Sequence, residues 1–247
     1  MNRIKTHFTS IGRTIRRYYV DEFFFNELSN IPSKSSILDL GGNKIKKRGQ
    51  FNIENHSDNV TYANISKEKQ PDVQASGELL PFKPNIFDIV LCAELLEHVP
   101  NPPQILKEIH RITKPNGKLF ITAPFMYHIH ADPYDYGRYT DTYWETNLTE
   151  IGFSAISIKP QGAFYSVLME LIRSLAYRFT KRRKLSWIPL NPMITFLTKI
   201  SINLSIKLDL ANQNKKDNFH KKYTLGFEII ATKPDTNNVA ESDLNLN

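Results

Sequence analysis

The chain holds one cysteine among its 247 residues, and a lone thiol forms neither an internal disulfide nor a cysteine-only zinc site. It has no run of about 18 uncharged apolar residues, the length a membrane-spanning helix needs; the nearest, Ile188 to Ile206, is broken by Pro192 and Lys199. Its first residues, MNRIKTHFTSIGRTIRRYY, are basic from the start and lack the apolar stretch of a secretory leader. Together these absences lead us to expect a cytoplasmic protein, at most peripheral at the inner face of a membrane. Acids are also short, with 25 Asp and Glu against 32 Lys and Arg, a formal charge of +7. That excess favours anionic partners such as phosphates, acidic lipids or nucleic acid and says nothing about fold. Apolar content is not short: 40% hydrophobic and 23% charged residues are globular proportions. The length suits one large domain better than two.

Residues Phe8, Ile11, Ile15 and Tyr18 recur at helical spacing with Arg13, Arg16 and Arg17 on other faces, which predicts a basic amphipathic helix within an N-terminal segment 1–35. SSILDLGG then reads as a buried strand entering a glycine turn. The polar stretch 43–59 predicts only a short helix or irregular loop. Val60 to Ile65 and Asp72 to Ala75 predict two strands, and Pro81 pushes Leu80 off helical angles, which makes Leu79 to Phe82 a loop. IFDIVLCAEL predicts a strand turning near Cys92 to Glu94. Ile105, Leu106, Ile109 and Ile112 form one face of a helix that Pro115-Asn116-Gly117 ends, before a strand at Lys118 to Thr122.

Beyond Thr140 comes a helix ending at Ile151-Gly152-Phe153, then a strand from Ala155 to Ile158, a helical excursion over 162–222 and a last strand from Thr224 to Thr232. Alternating strands and helices predict an α/β, Rossmann-like, doubly wound and mostly parallel sheet. Residues 36–234 would form it, with 235–247 a frayed tail.

Such a sheet binds ligands beyond the carboxyl ends of its strands. The turn Asp39-Leu40-Gly41-Gly42-Asn43 lies there: glycines admit close approach and positive φ, and Asp39 accepts hydrogen bonds from an ammonium or a backbone donor. In isolation the same pattern is an ordinary strand end. NKIKKRG, from Asn43 to Gly49, lacks the third glycine and immediate helix of a nicotinamide-binding turn.

ILDLGG, SGELLPF, FDIVLCAELLEHVPNP and QILKEIHRITKPNGKLFITAP follow one another in order. Over Ser36 to Lys159 this ensemble resembles the class I S-adenosylmethionine (SAM)-dependent methyltransferases, in the type 11 group with a Leu-Pro-Phe loop and a Glu-His pair. APFMYHIHADPYDYGRYT is similar to a subgroup found with bacterial surface-glycan enzymes. The resemblance implies SAM as cofactor and a seven-stranded, mostly parallel sheet with an antiparallel last strand and a helical insertion before it. Asp39, Gly41 and Gly42 would line its methionine end, and Asn64 stands where an acid grips the ribose. Ser76 and Gly77 fall at the adenine loop, and Cys92 and Glu94 after the fourth strand beside the cofactor. Glu97-His98 open the next turn or helix. Asn43, Asn64 and Ser76 depart from the usual Gly, acid and Asp. Asn43 tolerates left-handed angles, and Asn64 keeps a hydrogen bond while losing its charge-assisted part.

Methyl transfer is an in-line displacement in which the enzyme positions a nucleophile and removes its proton. The candidate catalytic residues are His128, His130, Asp135, Tyr136 and Arg138, in the loop after the fifth strand. Imidazole titrates near neutrality and suits a base; backbone capping is the alternative role for both histidines. Arg138 pairs with Asp135 or grips a substrate phosphate. The chemistry demands no metal and none is assigned, although His128 and His130 also suit zinc completed by Asp132 or Asp135.

The expected partner is a small-molecule or glycan acceptor, methylated on a hydroxyl and either free or linked to a nucleotide or lipid; nucleic acid is less favoured. Cys92-Ala93-Glu94-Leu95 lacks an amino-group motif and argues against N-methylation. In the excursion, Phe164, Val167, Leu168, Leu171, Ile172 and Leu175 share a helical face. Arg178, Lys181, Arg182, Arg183 and Lys184 follow without an acid, so 163–184 suits an anionic or membrane surface or, equally, a solvated helix end. The competing readings are a methyltransferase-like binding or scaffolding protein that has lost its grip on the cofactor, and a methyltransferase for RNA or another small molecule.

Overall fold

The computed structural model describes residues 14–182, 190–212 and 219–235, with side chains at 176–199 and at Lys221 left aside. These residues fall into two compact units, 20–159 with the chain from Gly226, and residues up to Tyr19 with Pro160–Leu225.

The first unit is built on period-two strands. β1 (Ile37–Leu40), β2 (Val60–Asn64), β3 (Val73–Gln74), β4 (Phe87–Ala93), β5 (Thr113–Pro124), β6 (Ser154–Gln161) and β7 (Gly226–Thr232) form a seven-stranded sheet in the order β3-β2-β1-β4-β5-β7-β6. β1 to β5 pair in parallel, and β7 runs antiparallel to β5. This is the doubly wound Rossmann-like sheet that the strand and helix alternation predicts.

Alternate residues point to opposite faces. Leu38, Leu40, Val90, Cys92, Leu119 and Ile121 share one face with Ile105, Leu106, Ile109 and Ile112 of α2 (Pro102–Ile112) and Trp144 and Leu148 of α3 (Asp141–Ile151). Ile37, Ile89, Leu91 and Phe120 share the other with Val20, Phe23, Phe24 and Leu28 of α1 (Ile15–Leu28). Asp39 has the parity of Ile37. Because β1 pairs β2 on one side and β4 on the other, the order reverses at β1, and a crevice opens at the carboxyl edge there.

Of three local expectations, two are corrected and one is met. Pro115-Asn116-Gly117 does not separate α2 from the next strand, because α2 stops at Ile112 and β5 begins at Thr113. The β4–β5 register jumps from Phe87↔Thr113 to Ile89↔Lys118, so the tripeptide is a bulge. It is pinned by Asn116 N–H to the Lys233 carbonyl at 2.8 Å and Lys233 N–H to the Gly117 carbonyl at 3.0 Å. Second, residues 43–59 meet the expectation of a short helix or irregular loop, with one 3-10 turn at Ile53–Asn55. Third, Arg16 does not sit on an exposed basic face. It is 3% exposed and donates to Gln161, since a guanidinium this deep needs an acceptor. Phe8, Ile11 and Arg13 lie outside the described residues.

In the second unit Ile15 packs with Val167, Ile202, Ile206 and Leu225. α4 (Phe164–Arg182) is capped from α5 (Leu190–Asn212): the Asp209 carboxylate accepts from the backbone N–H groups of Ala163, Tyr165 and Ser166 at 2.9, 3.0 and 3.0 Å. That satisfies donors a helix start leaves orphaned. Leu168, Leu171, Ile172 and Leu175 are 44%, 62%, 50% and 56% exposed. The basic cluster Arg178–Lys184 lies outside the described side chains. No helix among the described residues is long and apolar enough to cross a membrane.

Candidate functional site

Two groups of residues meet at the carboxyl edge of the parallel strands. The first is the turn after β1. Gly41 takes φ +83 and Gly42 lies so close to Asp39 that an added Cβ would come within 2.2 Å of its carboxylate. The carboxylate therefore folds under the turn, and only glycine at position 42 leaves it room. The space beside Gly41 is taken by Leu95, 2.9 Å from an added Cβ. Burial pushes Asp39 up to about 7, with Lys47 opposing that rise and Glu54 adding to it. Its carboxyl thus changes charge near neutral pH.

Asn64, at the end of β2, clasps this turn. Its amide donates to the Gly41 carbonyl at 2.8 Å and the Gly42 carbonyl at 3.1 Å, and its Oδ1 accepts from Ser66 N–H at 3.0 Å. A carboxylate cannot make the two donations, so Asn64 suits this turn better than the acid the family resemblance implies. Asn43 is half-buried beside it. Ser76 is exposed, its Oγ accepting from Glu78 N–H at 3.3 Å, and Gly77 packs on Ile105. The Leu-Pro-Phe loop is fixed to α2: Leu80 N–H donates to Glu108 at 2.8 Å, and Arg111 donates to the Phe82 and Leu80 carbonyls at 2.7 and 3.0 Å.

Cys92 is not after the fourth strand but inside it. β4 continues to Ala93, and the thiol is fully buried in the core that covers α2. Burial pushes its titration up, with Glu97 and Asp39 adding to the effect, so it is an inert packing group. Glu94 terminates the strand with φ 50, its N–H donating to the Thr122 carbonyl at 2.9 Å. A left-handed angle at a non-glycine residue on a ligand edge is the kind of strain that functional sites hold.

The second group joins the turn Leu96–His98 to the loop after β5. Glu97 is 1% exposed, and its carbonyl accepts from Tyr136 N–H at 2.7 Å. Its carboxylate lies 3.6 Å from His98 Nε2, and the His98 and His130 rings sit 4.8 Å apart. Asp135 anchors the loop, accepting from His130 N–H at 2.8 Å and from both Arg138 nitrogens, NH2 at 2.8 Å. Arg138 holds the Asp135 carboxyl well below the usual carboxylate range, and burial lowers His130. Arg138 also donates to the His128 carbonyl at 3.2 Å.

The structure therefore brings His130, Asp135 and Arg138 together and leaves the His128 and Tyr136 side chains exposed. With Asp135 committed to Arg138, the zinc arrangement of His128, His130 and Asp135 is not formed. Glu97 and His98 are the residues sequence reading missed as partners of His130. The signal available was an acid-imidazole pair embedded in apolar Leu95, Leu96 and Val99.

Residues 48–121 match a methyltransferase-domain family model. Over 40 residues the chain is 46% identical to a ubiquinone biosynthesis O-methyltransferase of Pseudomonas aeruginosa, 16% of this chain and 17% of that protein. Over 118 residues it is 36% identical to an uncharacterised protein of Methanocaldococcus jannaschii, 42% of this chain and 50% of that one. The chain thus spans half or less of the length of these curated relatives. Its fold is shared with a phosphoethanolamine N-methyltransferase of Haemonchus contortus solved with phosphomonomethylethanolamine and S-adenosylhomocysteine. The TM-score is 0.54 at 16% identity, over 88% of this chain and 53% of that one.

Proposed function

We propose that this chain is a SAM-dependent methyltransferase that methylates a hydroxyl of a small acceptor, with a sugar, free or carried on a nucleotide or lipid, as the preferred acceptor. The observation that carries the reading is the β1 turn. The half-buried Asp39 carboxyl lies beneath Gly42 at the edge where the strand order reverses, and the Asn64 amide holds the glycine carbonyls. The methyltransferase-domain match over 48–121 supports the activity, and the short O-methyltransferase relative supports an oxygen acceptor.

In this reading Asp39 receives the ammonium of the cofactor's methionine end, and the glycine backbone lets the ligand approach closely. SAM supplies an electrophilic methyl group. The protein's part is to align the acceptor oxygen about 3 Å from that methyl and to draw off the hydroxyl proton on the side where Glu97, His98 and His130 gather. The exposed apolar row Leu168–Leu175 supports contact with an anionic membrane carrying the acceptor, and sedimentation with anionic vesicles checks that part.

A second reading, a methyltransferase-like binding protein, draws on Asn64. Both ends of its amide are already engaged, so a ribose hydroxyl must compete for it. Mass spectrometry of the purified chain for co-purified SAM or S-adenosylhomocysteine separates the two. Bound cofactor supports the enzyme, and no binding at millimolar cofactor contradicts it.

A further inference from the structure

We propose that Glu97, His98 and His130 form a binding site for a divalent first-row transition cation at the carboxyl edge of the sheet. Each of the three offers a ligand atom, and these atoms lie within 4.8 Å of one another. A tetrahedral site with bonds of about 2.1 Å sets its ligands about 3.4 Å apart. Glu97 Oε1 and His98 Nε2, at 3.6 Å, are already near that spacing, and rotation of the His130 ring closes the third side.

The surroundings are those of ligands rather than of incidental neighbours. His98 Nδ1 is 2.7 Å from the Tyr134 carbonyl. A carbonyl only accepts, so His98 Nδ1 donates to it, which leaves Nε2 as the ring atom turned toward Glu97. An imidazole steered by a main-chain carbonyl is the usual support for a metal-binding histidine. His130 Nδ1 is 3.3 Å from the His128 carbonyl, and its backbone N–H is fixed on Asp135. The Glu97 carbonyl takes Tyr136 N–H at 2.7 Å and Gly137 N–H at 3.4 Å, which ties the two ligand-bearing segments together.

Charge also favours a cation here. Glu97 is 1% exposed, and a carboxylate so poorly hydrated holds a cation more strongly than one in water; Arg138 is turned to Asp135 by two hydrogen bonds, with its NH2 3.5 Å from His130 Nδ1.

Two imidazoles and one carboxylate select zinc, cobalt or manganese over calcium and magnesium, which prefer oxygen ligands. Three protein ligands leave a coordination position open. On the methyltransferase reading, and resting on it, that position takes the acceptor oxygen. A hydroxyl bound there is a stronger acid and gives its proton to solvent more readily.

The test uses the full chain stripped of metal, without SAM. Titration with cobalt chloride and separately with zinc chloride should show one ion per chain at micromolar metal and visible cobalt absorption. His98→Ala, His130→Ala and Glu97→Gln should each weaken uptake by about tenfold or more; His128→Ala should bind as wild type. Circular dichroism and thermal melts select the variants that fold, and Glu97→Gln keeps the side-chain size. No uptake by the wild-type chain, or uptake equal to wild type in folded His98→Ala and His130→Ala, overturns the site. SAM affinity measured on the same metal-free samples keeps the two proposals apart. Cofactor binding without metal uptake overturns this one alone, and metal uptake without cofactor binding leaves it standing while contradicting the methyltransferase reading.

Discussion

The two ends of the ligand edge are built from different materials. After β1 and β2 the chain relies on main chain and shape: two glycines, a carboxyl folded beneath them, and the Asn64 amide on two carbonyls. After β4 and β5 it relies on charged and polar side chains: Arg138 pairs with Asp135, and Glu97, His98 and His130 gather beside them from two segments. The first kind of site is lost by filling space. The second is lost by removing one partner and leaving another stranded.

The largest effect should come from the charged end. Arg138→Ala leaves Asp135, whose side chain is 3% exposed, with its His130 N–H bond but without its cation, a loss of about 3 kcal/mol. Urea unfolding checks this, and cofactor affinity at the far end should change less than twofold. Gly42→Ala comes next. The new methyl meets the Asp39 carboxylate at 2.2 Å, and displacing it should weaken SAM about a hundredfold with unfolding little altered. If Gly42→Ala binds SAM as wild type does, the shape-based account of this end is wrong.

Asn64→Asp should weaken SAM about 30-fold, since it trades two donations for a carboxylate facing carbonyls, a cost of about 2 kcal/mol. An increase in affinity would mean instead that the position wants the acid. The smallest effect is the pH dependence. Asp39 is raised from 3.8 to about 7, and an ammonium needs it ionised. Affinity should rise about tenfold per pH unit below 7 and level off above, with Asp39→Asn flat throughout. In the ligand-free chain the sign reverses. The protonated carboxyl contributes stability at low pH that is lost as pH climbs from 3.8 through about 7.

The shape-based end was the legible one, because it is local. Ile37 to Gly42 reads as strand then turn from apolar run and glycine pair alone, and the β4 run Phe87 to Ala93 does the same. What escaped reading depends on residues distant in sequence. Pro115-Asn116-Gly117 carries turn chemistry that the sheet uses as a bulge. Asp135 selects between the two histidines: it fixes the His130 backbone, and the His128 side chain stays exposed. Glu97 and His98 sit next to each other in the chain, yet nothing local announces that a loop beyond β5 will fold back onto them.

Isothermal titration of S-adenosylhomocysteine into the full chain above neutral pH, run beside Gly42→Ala, decides whether the β1 turn holds the cofactor. The account predicts one binding event per wild-type chain and its loss in the variant. Absence of heat at millimolar ligand, or equal affinity in both proteins, contradicts it.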